Sequence, residues 1–305
     1  MPMDIITSRH NATVKKIREL KKRAARDMLG LAFVEGKRLV NEALRGPARA
    51  GGGTGCGGTA VRSLCVSEGF YRGDGFGAIK KIADEYGIEL SILADRVFDA
   101  VSGTLQPQGL LAVIEMYAYT INDLTKNTGE PSRILMLDRV RDPGNAGAML
   151  RTAEAAGFSG AVFSEGAVDI YEPKTMRATM GAVFRVPFLR GADLYETVKS
   201  LREAGYRIYA SAATESDGDK KGGAGPRGSA VDCFGAELSG GDIALIIGGE
   251  AFGIDERLLD ICDATLSIPM GGEAESLNAG VAAGILMYEF ARRDRAGTDN
   301  NQFSI

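Results

Sequence analysis

Histidine is almost missing from this chain, with His10 alone among 305 residues. A mechanism built on a histidine base within the body of the protein, or on a cluster of histidine metal ligands, has nothing to run on. Cysteine is sparse as well. Cys56, Cys65, Cys233 and Cys262 stand in unrelated contexts without CxxC spacing, so free thiols in a reducing compartment are expected rather than disulfides or a zinc site. No uncharged apolar run reaches the length of about 18 residues that a membrane span requires. The opening residues MPMDIITSRHNATVKK lack the apolar centre of a signal peptide. A cytoplasmic protein that binds no metal and no membrane is the expectation.

What the chain does contain is 45% hydrophobic and 25% charged, the balance of a soluble globular protein, and its length favours about two domains. The net charge of −4 argues weakly against a nucleic-acid partner, but it conceals an asymmetry. From Met1 to Arg26, eight basic residues face only Asp4 and Glu19, a local charge of +6. Asn11 or a nearby Ser or Thr can cap a helix here, with Val14, Ile17 and Ala24 or Ala25 on its apolar side. Lys15, Lys16, Arg18, Lys21, Lys22 and Arg23 then form either a phosphate-contacting arm or a solvated helix face.

After this arm, LAFVEG reads as a strand and Lys37 to Leu44 as a helix. Residues 46–60, GPARAGGGTGCGGTA, bury nothing and read as a flexible insertion. Leu64 to Ser67, IELSIL and LQPQGLLAVIEM read as further strands, with helices at Ala78 to Tyr86 and VFDAVSGT. Alternation of this kind predicts a small α/β domain over residues 1–117, followed by a linker at 118–131. From residue 132 to 295 the pattern restarts with wholly apolar runs at 134–138, 161–164, 206–211, 243–249 and 265–270. Helical stretches lie between them, at Ala146 to Ala156, Pro173 to Phe184, Leu194 to Ala204 and Asp255 to Cys262. Continuous apolar runs suit strands buried on both faces of a parallel sheet. A glycine-rich loop is expected at 215–229, and residues 296–305 read as a tail.

Three stretches of this second domain carry the chemistry. In LDRVRDPGNAGAMLRTAEAAGF a strand ends at Asp138, a turn follows at Pro143 and Gly144, and Asn145 is placed to cap a helix buried along Ala146, Met149, Leu150, Ala153 and Ala156. Arg151 lies off that face and leans back toward the Asn145 loop. GNAG matches neither the Walker loop nor GxGxxG. In IALIIGGEAFG a buried strand runs out into Gly248, Gly249, Glu250 and Gly253, where small residues let a ligand meet the backbone; Glu250 is equally suited to a helix start. In IPMGGEAESLNAGVAAGILMYEF, Ser276 is read as opening a helix along Leu277, Val281, Ile285 and Tyr288, whose Ala and Gly residues permit close backbone approach.

In this order and spacing, DPGNAGAMLRTAEAAGF, IIGGEAFG and IPMGGEAESLNAGVAAGI resemble the SpoU-TrmH family of RNA ribose 2′-O-methyltransferases. The resemblance spans Arg133 to Arg293. FVEGKRLVNEAL and PQGLLAV look like the RNA substrate-binding domain of members that modify ribosomal RNA. It implies a C-terminal α/β domain tied in a deep trefoil knot, which no periodicity could reveal. It also implies a homodimer, and S-adenosylmethionine held at Gly248, Gly249, Ile268, Pro269, Met270 and Leu277. By the same resemblance Arg151 is the central catalytic residue, with Asn145, Glu250, Ser276 and Asn278 shaping the site. The substrate implied is large-subunit rRNA, with tRNA next. The rivals are a catalytically inactive RNA-binding homologue and an ordinary Rossmann nucleotide enzyme. One departure stands out. Where members follow SLN with Val-Ser, this chain has Ala279 and Gly280, which puts packing at the start of that helix, or substrate fit, in question.

Overall fold

Strands form where the apolar runs leave no solvent-facing alternative. Leu31–Glu35, Leu110–Glu115, Arg133–Asp138, Gly160–Ser164 and Ile243–Gly248 are buried at nearly every position, on both faces of their sheets. The computed structural model describes residues 3–46, 60–125, 131–212, 230–235, 238, 241–274 and 276–300, with side chains up to 293. Apart from Gly46 and Ala60, the insertion read at 46–60 lies outside the described residues, as do the loop read at 215–229 and residues 126–130 of the stretch read as a linker.

In chain order the elements are β1 (Ile5–Ile6), α1 (Ala12–Glu19), α2 (Arg23–Leu29), β2 (Leu31–Glu35), α3 (Lys37–Arg45), β3 (Val61–Ser67), α4 (Glu68–Tyr71), α5 (Phe76–Tyr86), β4 (Glu89–Leu93), α6 (Asp95–Val101) and β5 (Leu110–Glu115). There follow α7 (Ile121–Leu124), β6 (Arg133–Asp138), α8 (Pro143–Ala155), β7 (Gly160–Ser164), α9 (Pro173–Ala178), β8 (Phe188–Ala192), α10 (Leu194–Glu203), β9 (Arg207–Ala212), β10 (Val231–Asp232), β11 (Ile243–Gly248), α11 (Glu256–Leu259), β12 (Ala264–Ser267) and α12 (Ala279–Asn300). They divide into two compact units, Met1–Tyr117 with Asp169–Arg185, and Ala118–Val168 with Val186–Ile305.

The first unit is a five-stranded mixed sheet in the order β1-β4-β3-β5-β2. Asn11 caps α1 by accepting from the Thr13 N–H at 2.9 Å. Val14, Ile17 and Leu20 then join Phe33, Val97 and Phe98 in the core, each buried aliphatic contributing about 1.5–3 kcal/mol. The basic run continues past α1 into α2. Lys15, Lys16, Arg18, Lys21, Lys22 and Arg23 are exposed, although Lys21 Nζ also donates to the Ser102 carbonyl at 2.8 Å. Arg26, counted from sequence as part of the same charge, is instead buried. It donates to the Leu20 carbonyl and to Asp169, because a buried guanidinium without partners would be prohibitively costly.

Asp169 belongs to a segment whose place in the fold local periodicity does not mark. The stretch Pro173 to Phe184, read as one helix among those of the second domain, is α9 followed by a separate 3-10 turn at Ala182–Phe184. Met180 and Gly181, with φ of 53° and 100°, break it. The segment packs α9 on β2 and pairs Arg185 with Glu42, all within the first unit.

The second unit holds a seven-stranded sheet in the order β10-β12-β9-β11-β6-β7-β8, parallel throughout. Ile134, Met136, Ile208 and Ile246 face α10 and α11 through Leu194, Val198, Leu201 and Leu258. The alternate residues Leu135, Leu137, Leu245 and Ile247 are equally buried and point to the opposite face, where α8 and α12 pack together. β8 was not expected, since FLRGA is too polar to read as a buried strand; it edges the sheet and only Phe188 is buried. Of the stretch read as a linker, the described residues lie in this unit. Thr120 and Asp123 form a capping box around α7, and Leu124 is fully buried.

Candidate active site

β6 and β11 are paired so that their last residues, Asp138 and Gly248, lie side by side, and the loops leaving both strands must share one small space. Asp138 organises it. Its buried carboxylate accepts from the Arg139 guanidinium at 3.1 and 2.9 Å and from the Asp255 N–H at 2.9 Å, while its carbonyl accepts from the Gly249 N–H at 2.9 Å. Asp255 in turn caps α11, and hydrogen bonds from Arg257 hold its carboxyl below the usual range.

The glycines here are required by contact. A Cβ on Gly248 would lie 2.5 Å from the Gly253 carbonyl carbon, and one on Gly249 would lie 2.4 Å from the Arg139 carbonyl oxygen. The loop closes on itself through a Gly253 N–H to Gly249 carbonyl bond of 2.9 Å. It thereby presents Glu250, Ala251 and Phe252 at a tight tip.

Beside this loop lies a cavity of about 460 Å³. Ile247, Ile254, Ile268, Met270, Leu277 and Ala282 supply apolar wall, Gly248, Gly249 and Gly253 supply bare backbone, and Ser211, Glu250, Ser276 and Asn278 supply polar groups. Of the residues expected to hold a cofactor, only Pro269 does not line it; that side chain is exposed between Ile268 and Met270.

Two helix starts bring the remaining residues together, and both differ from expectation. The cap of α8 is Asp142, whose Oδ1 accepts from the Asn145 N–H at 2.7 Å, with Pro143 at the first helical position. Asn145 is thus inside the first turn, its side chain free to act elsewhere. Similarly α12 begins at Ala279 rather than Ser276, and Asn278 caps it by accepting from the Gly280 and Val281 N–H groups at 2.9 and 3.3 Å. The Asn145 amide then donates to Glu250, and the Asn278 amide donates to Asn145 Oδ1 at 3.1 Å. This chain of bonds ties three loops that are remote in sequence.

The Ala279-Gly280 departure has a physical reading in this geometry. A Cβ on Gly280 would stand 3.1 Å from Asn278 Oδ1 and 3.3 Å from Asn145 Oδ1, so glycine leaves room for the bond between those two amides. Arg151 lies less than two turns beyond Asn145 on the exposed side of α8, off the cavity wall. Among the described residues its side chain has no hydrogen bond or ion pair. The α12 stripe read from sequence faces outward in part. Val281 and Tyr288 are about half exposed, and the buried face is Ala283, Leu286, Met287 and Phe290.

Sequence reasoning missed Asp138 and Asp142, although an Asp-Pro pair at a strand end is itself a helix-start signal. It also missed Ser211 and Ile254, which reach the cavity only through the strand order. Among the described residues no group of three or more His, Cys, Asp or Glu could hold a metal ion, and no helix is long and apolar enough to cross a membrane.

Comparison with known proteins matches this geometry to a family. The SpoU rRNA Methylase family matches residues 132–288, and an MRM3-like substrate binding domain matches residues 11–112. The chain is 32% identical over 287 residues to the 23S rRNA (guanosine(2553)-2′-O)-methyltransferase RlmP of Bacillus subtilis, covering 94% of this chain and 98% of that protein. Among solved structures, an AdoMet-bound rRNA methyltransferase from Sinorhizobium meliloti superposes with a TM-score of 0.76 at 28% identity, covering 96% of this chain and 98% of that one. The SpoU methyltransferase AviRb from Streptomyces viridochromogenes, in complex with AdoMet, gives 0.75 at 26% identity, covering 94% and 99%. A parallel α/β domain whose strand-end loops build this cavity, preceded by a substrate-binding domain, makes the chain a member of the SpoU rRNA methylase family.

Proposed function

We propose that this protein transfers the methyl group of S-adenosylmethionine to the 2′-oxygen of a ribose in RNA, with 23S-type large-subunit rRNA as substrate. The observation that carries this reading is the cavity walled by the 248–254 and 268–279 loops and edged by the Asn145–Glu250–Asn278 chain. Its size and its mixture of apolar wall, bare backbone and a few polar groups suit a nucleoside-sized ligand with an amino-acid tail. Gly248, Gly249, Ile268, Pro269, Met270 and Leu277 are the residues that would hold it. When bound, S-adenosylmethionine supplies an electrophilic methyl group on a sulfonium.

The protein's own groups must then position the ribose hydroxyl, remove its proton and stabilise the charge that develops on oxygen. Arg151 cannot be the base, because a guanidinium stays protonated. Its role is to stabilise the developing alkoxide and to grip the adjacent phosphate with its planar fork. The proton leaves to that phosphate, to Glu250, or to water. Asn145 orients Glu250, Asn278 orients Asn145, and Ser276 completes the polar edge.

Residues 1–117 act as the RNA substrate-binding domain, with Lys15, Lys16, Arg18, Lys21, Lys22 and Arg23 contacting phosphate. A trefoil knot is supported by the path after β12, which lines the same cavity as the 248–254 loop before α12 docks on α8. The exposed Val281 and Tyr288 support a homodimer built on α12, and a cytoplasmic site of action fits an rRNA substrate. The test is to methylate rRNA, digest it to nucleosides and identify the product by mass spectrometry. One 2′-O-methylated nucleoside is expected; methyl groups found only on bases would overturn the proposal.

A further inference from the structure

The tip of the 249–253 loop points in two directions. Glu250 turns to Asn145 and the cavity, while Phe252 turns away from it and is 59% exposed. A single exposed apolar side chain is ordinary on a protein surface, so the exposure by itself indicates nothing. Phe252 has company of a particular kind. The guanidinium carbons of Arg139 and Arg141 lie 5.9 and 5.2 Å from the ring centroid, within cation–π range.

The two arginines are not equivalent. Arg139 is anchored, with its N–H on Ser164 Oγ at 2.8 Å and its guanidinium on Asp138. It holds a left-handed φ of 52°, a conformation that a residue with a side chain adopts only when its surroundings enforce it. Arg141 is exposed, and among the described residues no carboxylate neutralises it. A fixed cation thus braces the ring, and a free one stands next to it.

We propose that Phe252 and Arg141 form a platform for a nucleotide flanking the methylated one, with the base stacked on the Phe252 ring and its phosphate paired with Arg141. This rests on the reaction proposed above. It follows from what single-stranded RNA offers: unstacked bases that settle on aromatic faces, and a phosphate at each step for an arginine. Glu250 and Phe252 are two residues apart on one tight loop, so a substrate engaged at the first is within a nucleotide of the second. Phe252 is a positioning residue for RNA, without contact to the cofactor cavity.

The test measures three quantities for the full-length wild type and for Phe252→Ala, Phe252→Trp and Arg141→Ala. They are S-adenosylmethionine affinity by calorimetry, affinity for a fluorescent single-stranded rRNA fragment at several salt concentrations, and kcat and KM for methyl transfer. Phe252→Ala is expected to weaken RNA binding about 5- to 150-fold, the effect of losing one base–aromatic stack. Its salt slope, kcat and cofactor affinity should be unchanged, and tryptophan should restore binding. Arg141→Ala should lower the salt slope by about 0.7, the effect of one phosphate contact on a single strand.

Wild-type RNA affinity in Phe252→Ala, or a parallel loss of cofactor affinity, would overturn the platform while leaving the reaction intact. RNA binding by the wild type without methyl transfer would reject the reaction, and the alanine and tryptophan variants would still decide the platform by binding alone. Acidic peptide competing with RNA for wild type but not for Phe252→Ala would also overturn it, since the ring would then serve a protein partner.

Discussion

Replacing Gly249 by alanine should damage cofactor binding in a way that can be worked from contacts. The added Cβ would lie 2.4 Å from the Arg139 carbonyl oxygen and 2.9 Å from its carbonyl carbon, where non-bonded carbon contacts normally begin near 3.5 Å. Both partners are backbone, so relief requires the two segments to separate by about 1 Å. That movement would stretch the Gly249 N–H to Asp138 carbonyl bond, now 2.9 Å, beyond useful range. A lost hydrogen bond of about 0.5–1.5 kcal/mol and overpacking of about 1–3 kcal/mol combine to about 1.5–4.5 kcal/mol. The cost will be divided between folding stability and the shape of the cavity wall. Calorimetry with S-adenosylmethionine should show at least about a tenfold weaker Kd for Gly249→Ala, equivalent to about 1.4 kcal/mol, with a lower Tm. Gly271→Ala and Gly272→Ala are the controls, since a Cβ at either position meets nothing within 4 Å. Wild-type affinity and Tm in Gly249→Ala would refute the closed loop, as would equal losses in all three variants.

Arg151→Lys should lower kcat by about 10²–10³, the usual cost of losing a donor to a developing oxyanion, with cofactor affinity unchanged in calorimetry; near-full turnover would remove the bidentate role. If Glu250 accepts the proton, Glu250→Gln should slow single-turnover transfer with cofactor affinity unchanged, whereas an unaltered rate assigns the proton to phosphate or water. Far from this chemistry, hydrogen bonds from Arg292 and Arg293 pull the carboxyl of Glu289 on α12 down to about 2 from an ordinary 4.5. Its folded pKa lies below its unfolded one, so the stabilisation is complete above about pH 4.5 and is lost as pH falls toward 2. Because Arg292 is largely in solvent, about 1–2 kcal/mol is expected at neutral pH. Denaturant titrations of Glu289→Gln should therefore differ from wild type at pH 7 and converge near pH 2; a constant difference across that range would contradict the linkage.

Much of the second unit could be read from sequence because its signals are local. The runs at Arg133–Asp138 and Ile243–Gly248 permit only buried strands, and the Ala146, Met149, Leu150 and Ala153 spacing selects one face of α8. Where two local signals compete for one helix start, the stronger decides the cap. Pro143 fixes the first helical position and hands the cap to Asp142, leaving Asn145 for Glu250. On α12 both faces are apolar, so periodicity could not show that Ala283, Leu286, Met287 and Phe290 would be chosen over Val281 and Tyr288. Long-range pairing left no local trace at all. Asp169 meets Arg26 across 143 positions, and nothing near either residue announces it. The pairing of Gly248 with Asp138 likewise emerges only from strand order, yet it sets the two loops side by side.

The most direct measurement is transfer of radiolabelled methyl from S-adenosylmethionine to total RNA, comparing wild type with Arg151→Ala and separating large rRNA from tRNA. Label in the large rRNA that disappears in the variant is the predicted result. Label confined to tRNA would contradict the substrate, and label retained by Arg151→Ala would contradict the catalytic role given to that arginine.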